Sequence, residues 1–209
     1  MEKALKQKYE IERGFLTKPW KALTFSEIQR LSGIKSKSYI YKEIARLKKN
    51  NLIYVEKISP RAIRYFMKID NSFSQQYWGF LAEYFAWNKY KKFPFQIIEK
   101  LKTNIPTKFF SLIVTGSYAK GKPTKDSDLD IIIIADIEPK KIYAELGHEA
   151  EINFPKVHLY VFTSREFLEM LSNKEENYGK ESARNNLVFI GGSSYYSILN
   201  NAIENGFKG

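Results

Sequence analysis

Apolar positions recur at helical spacing over residues 3–16, and Lys18, Pro19 and Trp20 then break the pattern before residues 23–25, which read as a short strand. Ser26 with Gln29 three positions later fits a capping box, Ile28 and Leu31 give that helix a buried side, and Gly33 ends it. A further helix is expected over residues 36–50. Its Ile40, Ile44 and Leu47 share one face, so at about 100° per residue the opposite face carries Lys35, Ser38, Lys42, Ala45, Arg46 and Lys49. Residues 52–56 read as a strand, Ser59, Pro60 and Arg61 as a turn, and Ile63, Tyr65, Met67 and Ile69 alternate with Arg64, Phe66 and Lys68 as in a second strand.

Helical spacing returns over residues 73–90, rich in aromatics from Tyr77 to Trp87, and over 94–102; the aromatic stripe reads as packing between two domains. Strands are expected at 109–114, 131–134, 156–162 and 187–190. Helices are expected at 139–151, at 164–171 with Ser164 as its cap, and at 193–205 after the Gly191-Gly192 bend. The chain thus divides into residues 1–70, a helical connection 71–107, and a mixed α/β segment 108–209.

Charge sharpens this division. Residues 1–70 hold 17 basic and 7 acidic side chains, against 17 and 16 in the remainder. A positive field confined to one third of the chain suits a polyanion, because each neutralised phosphate releases counterions. No apolar run is long enough to span a bilayer and residues 1–12 are charged, so no membrane partner and a cytoplasmic location are expected. The absence of cysteine and the presence of only two histidines exclude thiolate and histidine-rich metal sites, leaving oxygen ligands that suit Mg2+ or Mn2+.

The chemistry concentrates where the strand at 109–114 leads into Gly116, Ser117, Tyr118, Ala119, Lys120 and Gly121, followed by Ser127, Asp128, Leu129 and Asp130 and then four isoleucines. Gly116 lets backbone approach a phosphate, Ser117 adds a hydroxyl donor, and Lys120 is a candidate phosphate contact. Asp128 and Asp130, two apart in extended chain, point to one face about 6 to 7 Å apart at Cα and can share divalent ions. The isoleucine run reads as a central strand covered on both sides. Gly116, Gly121 and Lys122 also match the start of a Walker A loop, but Pro123 stands where Ser or Thr is needed and offers neither hydroxyl nor N-H.

Two resemblances follow from these residues. The order and spacing of elements over residues 3–70 resemble a winged helix-turn-helix module, which implies that Ser38 and Lys42 face bases or nearby phosphates of double-stranded DNA and that Lys35, Arg46, Lys49, Lys57, Arg61 and Arg64 lie on the phosphate backbone. Such modules also serve as protein docking or homodimer surfaces. Gly116-Ser117 with Asp128-x-Asp130, flanked by strands over residues 92–170, resembles the DNA polymerase β nucleotidyltransferase superfamily in its minimal form. That resemblance implies an α+β fold with a mixed sheet and helices on one side. It also implies a nucleoside triphosphate substrate held by Gly116 and Ser117, Mg2+ or Mn2+ on Asp128 and Asp130, transfer of a nucleoside monophosphate to an acceptor hydroxyl, and a separate HEPN-type helical toxin as partner.

The family's third carboxylate has no counterpart on the matching strand, where Lys156, His158 and Tyr160 are the polar positions. His158 there would offer a neutral base without the charge that offsets a second metal. Glu149 and Glu151 are weaker candidates, Asp126 reads as a turn residue, and Asp136 lies roughly 20 Å down the strand from Asp130. The same gap admits an alternative reading: a DNA-binding regulator or antitoxin-like protein with a weakened nucleotide-binding domain.

Overall fold

The pairing of Leu23 with Tyr65, each donating its N-H to the other's carbonyl at 2.8 Å, marks where the chain leaves a two-stranded ribbon and turns into a helix. The computed structural model describes residues 2–59 and 62–209, without the side chains of residues 2–7 and Glu149. The N-terminal third contains α1 (Glu2–Leu16), α2 (Phe25–Ser32), α3 (Lys37–Lys49), β1 (Ile53–Ser59) and β2 (Ala62–Met67), the strands antiparallel with Ile53 opposite Met67. The expected strand at 23–25 is reduced to the one bridge at Leu23. The capping box accordingly falls two residues before the expected Ser26 and Gln29. Thr24 accepts from Glu27 N at 3.2 Å and Glu27 accepts from Thr24 N at 2.8 Å, because the helix must begin as soon as Leu23 leaves the ribbon. Gly33 closes α2 in the left-handed region and Ser36 caps α3. Pro60 and Arg61, and with them the expected turn and phosphate contact, lie outside the described residues.

Next, α4 (Ser72–Trp87) joins the two halves through its tryptophans. Trp78 Nε1 donates to Leu52 O and Lys68 O at the base of the ribbon, and Trp87 Nε1 donates to Phe189 O in the second sheet. The aromatic stripe therefore divides: Trp78 is fully buried, whereas Phe73, Phe80 and Tyr84 are exposed.

The remaining elements are α5 (Phe95–Asn104), β3 (Ser111–Val114), α6 (Gly116–Ala119), β4 (Leu129–Ile134), α7 (Pro139–Ile152), β5 (Val157–Phe162), α8 (Ser164–Ser172), α9 (Tyr178–Arg184), β6 (Leu187–Ile190) and α10 (Gly192–Glu204). The sheet order is β5-β4-β3-β6, with β4 parallel to β5 and β3 antiparallel to both neighbours. Helices cover both faces, not one. Ile132 and Ile134 of β4 point into a core with α8 and α10 residues such as Phe167 and Leu199, while Leu129, Ile131 and Ile133 point into another with Ile98, Leu101, Ile142 and Leu146. The physical reason is the unbroken isoleucine run, since burying each such side chain contributes up to about 1.5 to 3 kcal/mol and both parities of the strand are apolar. Contact between α4 and α10 is close enough that a Cβ on Gly79 would lie 2.4 Å from Ser193 N. The cap of α8 is Thr163, paired with Glu166, rather than Ser164; Ser164 instead donates to Asp136, which is thereby a structural residue. No helix among the described residues is long and apolar enough to cross a membrane.

Candidate active site

β3 and β4 are antiparallel neighbours, so the end of one and the start of the other meet at a single edge of the sheet. Thr115 N donates to Asp130 O at 3.0 Å, which seats the Gly116 turn directly against the second aspartate. Gly116 has φ +67°, and a Cβ there would lie 2.0 Å from Asp130 Oδ2. The space that glycine leaves is filled by the carboxylate itself. The Ser117 hydroxyl, half-exposed beside it, has no hydrogen-bond partner among the described residues.

The parallel pairing of β4 with β5 puts His158 in register with Asp130. Its Nε2 lies 3.3 Å from Asp128 Oδ2 and its Nδ1 3.5 Å from Asp130 Oδ1, so one imidazole spans both carboxylates. Burial pushes the Asp130 carboxyl above the ordinary aspartate range; His158 pulls it back, and Asp128 and Glu181 push it up again. Asp130 is thus a carboxylate short of positive charge.

Sequence reasoning missed a fourth contributor, α9. Its Glu181 lies 3.7 Å from Lys120 Nζ, so the candidate phosphate lysine is held by an acid at the edge of the site. Tyr178 on the same helix packs against Tyr160 with ring centroids 4.5 Å apart and planes tilted by 38°, and burial followed by the charge of Asp130 raises the pKa of its phenol. The Asn177 cap, which accepts from Lys180 N, was the available signal for this seven-residue helix, but no amphipathic stripe accompanies it. Of the weaker candidates, Glu151 is exposed at the end of α7 and the Glu149 side chain lies outside the described residues.

Among the described residues no three His, Asp or Glu side chains surround a common point suited to a metal ion. Two carboxylates nonetheless fit Mg2+ or Mn2+ when substrate phosphates complete the shell, which is how Mg2+ is usually held. A cation seated there would stabilise the ionised form of Asp130 against the burial that raises its pKa.

The outward face of α3 is also in place. Ser38, Lys42, Ala45 and Lys49 on the helix are exposed, as are Lys35, which precedes the Ser36 cap, and Arg64 on the ribbon. Arg46 departs from the expectation. Its guanidinium turns inward to the fully buried Glu12, and its Nε donates to Glu43 at 2.7 Å. Tyr77 donates to the same Glu12 oxygen at 2.6 Å. A helical wheel cannot reveal that a buried acid on α1 claims this arginine.

Residues 96–189 match the family model described as "Nucleotidyltransferase domain". The matched stretch begins in α5, ends in β6, and includes Gly116, Ser117, Asp128, Asp130, His158 and Glu181. No curated protein and no solved structure matches the chain.

Proposed function

We propose, from the match of residues 96–189 to the family model described as a nucleotidyltransferase domain, that the protein moves a nucleoside monophosphate from a nucleoside triphosphate to an acceptor hydroxyl, guided by a DNA-binding winged helix over its first 70 residues. The observation that carries this reading is the pair Asp128 and Asp130 at a sheet edge, facing a glycine turn that the second carboxylate itself occupies.

In the reaction an acceptor oxygen bonds to the α-phosphorus, the bond to the bridging oxygen breaks, and pyrophosphate leaves with its electron pair. Asp128 and Asp130 would hold Mg2+ or Mn2+, which when bound neutralises charge developing on the phosphate oxygens. Gly116 and Ser117 offer backbone and hydroxyl donors to the triphosphate, and Lys120 adds a cation tethered by Glu181. His158, against both carboxylates, is placed to take the hydroxyl proton, as an imidazole in the position where a third carboxylate is expected. Incubating purified protein with Mg2+ or Mn2+ and each labelled nucleoside triphosphate, with DNA, RNA and a co-expressed helical partner as acceptors, tests the reading. Label should pass to one acceptor class; no transfer together with no nucleotide binding would reject it.

A second reading is favoured by the same His158. An imidazole lacks the fixed negative charge of a carboxylate, so the domain would bind nucleotide with weakened catalysis. The protein would then act as a DNA-binding regulator or antitoxin-like partner of a HEPN-type subunit, alone or as a homodimer. Nucleotide binding without transfer, joined to sequence-selective duplex binding through Lys35, Ser38, Lys42, Lys49 and Arg64, is the outcome that selects it.

A further inference from the structure

A cleft of about 170 Å³ lies beside the site, walled by Arg13 of α1 and Thr17 just past its end, by Phe85 of α4 and Lys89 two residues beyond it, and by Asn186 and Leu187 at the start of β6. It adjoins the phosphate turn: a Cβ on Gly121 would lie 3.9 Å from Lys89 Cε, and Asn185, next to the wall, accepts the Thr115 hydroxyl at 2.9 Å. Lys89 is half-buried, and among the described residues no carboxylate pairs with it. Burial first, and Arg13 second, lower its pKa from the ordinary lysine range. The Arg13 guanidinium lies 5.4 Å from the Phe85 ring centroid and has one acid partner among the described residues, Glu10 at 3.3 Å. Two cations therefore face one opening with more positive charge than the fold around them neutralises, at a desolvation cost that an anion in the cleft would offset.

The anion's chemistry follows from place and size. The triphosphate already has Gly116, Ser117 and the aspartate pair. This cleft lies instead between the C-terminal end of α1, in the third of the chain that carries the excess positive charge, and the ends of α4 and β6. Its volume is below the roughly 300 Å³ at which pockets begin to enclose whole organic ligands, so it suits a phosphate and its sugar, with Phe85 and Leu187 as apolar floor. We propose that the cleft binds a backbone phosphate of a single-stranded nucleic acid whose end is the acceptor, with Arg13 and Lys89 as its ligands. The proposal deepens the transferase reading and rests on it for the word acceptor; the binding itself does not depend on turnover.

The test is fluorescence anisotropy with a short labelled single-stranded oligonucleotide in metal-free buffer, where no transfer occurs, alongside equilibrium dialysis of a nucleoside triphosphate. Arg13→Ala and Lys89→Ala should each weaken oligonucleotide binding severalfold, Lys89→Arg should retain it, and the double variant should lower the log-log salt slope by about 1.4, near 0.7 per lost contact on a single strand. Triphosphate binding should not change. Lys89→Gln, which keeps much of the aliphatic stem, replaces Lys89→Ala if the latter unfolds at lower temperature. Unchanged oligonucleotide affinity in the double variant overturns the proposal. So does a loss confined to triphosphate binding, which would give the cleft to the nucleotide, or impaired transfer to a protein partner with oligonucleotide binding intact, which would give it to a protein acceptor. Failure of the native protein to transfer label would sink the transferase reading while leaving this binding result to stand by itself.

Discussion

Two clusters in this protein are built from the same kinds of side chain and behave in opposite ways. In the N-terminal third, Glu12 and Glu43 are buried and one guanidinium, from Arg46, answers both, with Tyr77 adding a hydrogen bond to Glu12. At the sheet edge, Asp128 and Asp130 are half-exposed and share only an imidazole, with Glu181 adding further negative charge. The first cluster is closed and fastens α3 to α1. The second is open and under-neutralised, which is the condition in which a site takes up a cation. Acids in a cluster do not by themselves mark chemistry; the charge balance and the access to solvent do.

The comparison is tested most strongly at the open cluster. Asp128→Asn or Asp130→Asn should reduce nucleotidyl transfer on the order of a thousandfold, measured as label incorporated per unit time, while leaving thermal stability nearly unchanged. The closed cluster should show the reverse. Arg46→Ala leaves Glu12 buried and unpaired and should cost about 3 kcal/mol in denaturant unfolding. Burial raises the Glu12 pKa in the folded state, so ionising this group costs stability as pH rises through that value. The Arg46→Ala deficit should therefore shrink as pH falls and Glu12 becomes neutral; a deficit independent of pH would show that Arg46 acts by packing and not by charge.

Gly116→Ala follows in size. The new methyl collides with Asp130 Oδ2 at a positive φ, so transfer should drop about a hundredfold, as expected when a catalytic group is displaced by about 1 Å. Lys42→Ala should be the mildest change. Folding stability should hold, duplex affinity should fall modestly, and the salt slope should decrease by about 0.9. If Arg46→Ala and Lys42→Ala affected DNA binding alike with no loss of stability, the contrast between the inward and outward arginine and lysine on α3 would be wrong.

The parts that were legible in the sequence were those fixed by local rules. Alternation placed β2, the 3.6-residue period placed α3 with Ile40, Ile44 and Leu47 inside, and the isoleucine run placed β4 in the centre of the sheet. Gly116, Asp128 and Asp130 come together because a glycine turn and a strand start are neighbours in an antiparallel pair. Helix starts were less secure, as Thr24 and Thr163 show: several Ser or Thr residues can serve as cap, and tertiary pairing chooses among them. What sequence spacing cannot hold is contact between distant segments. Glu12 lies 34 residues from Arg46, Asp130 is in register with His158 only through the parallel crossover, and Glu181 reaches Lys120 from a helix too short to announce itself.

The most direct test of the central claim is titration calorimetry of Mn2+ into native protein and into Asp128→Asn and Asp130→Asn, each with and without a nucleoside triphosphate. The open aspartate pair predicts metal binding that strengthens with nucleotide, weakens on acidification from a higher pH than an ordinary aspartate would require because burial raises the Asp130 pKa, and is lost in both variants. Equal metal and nucleotide binding by all three proteins would contradict it.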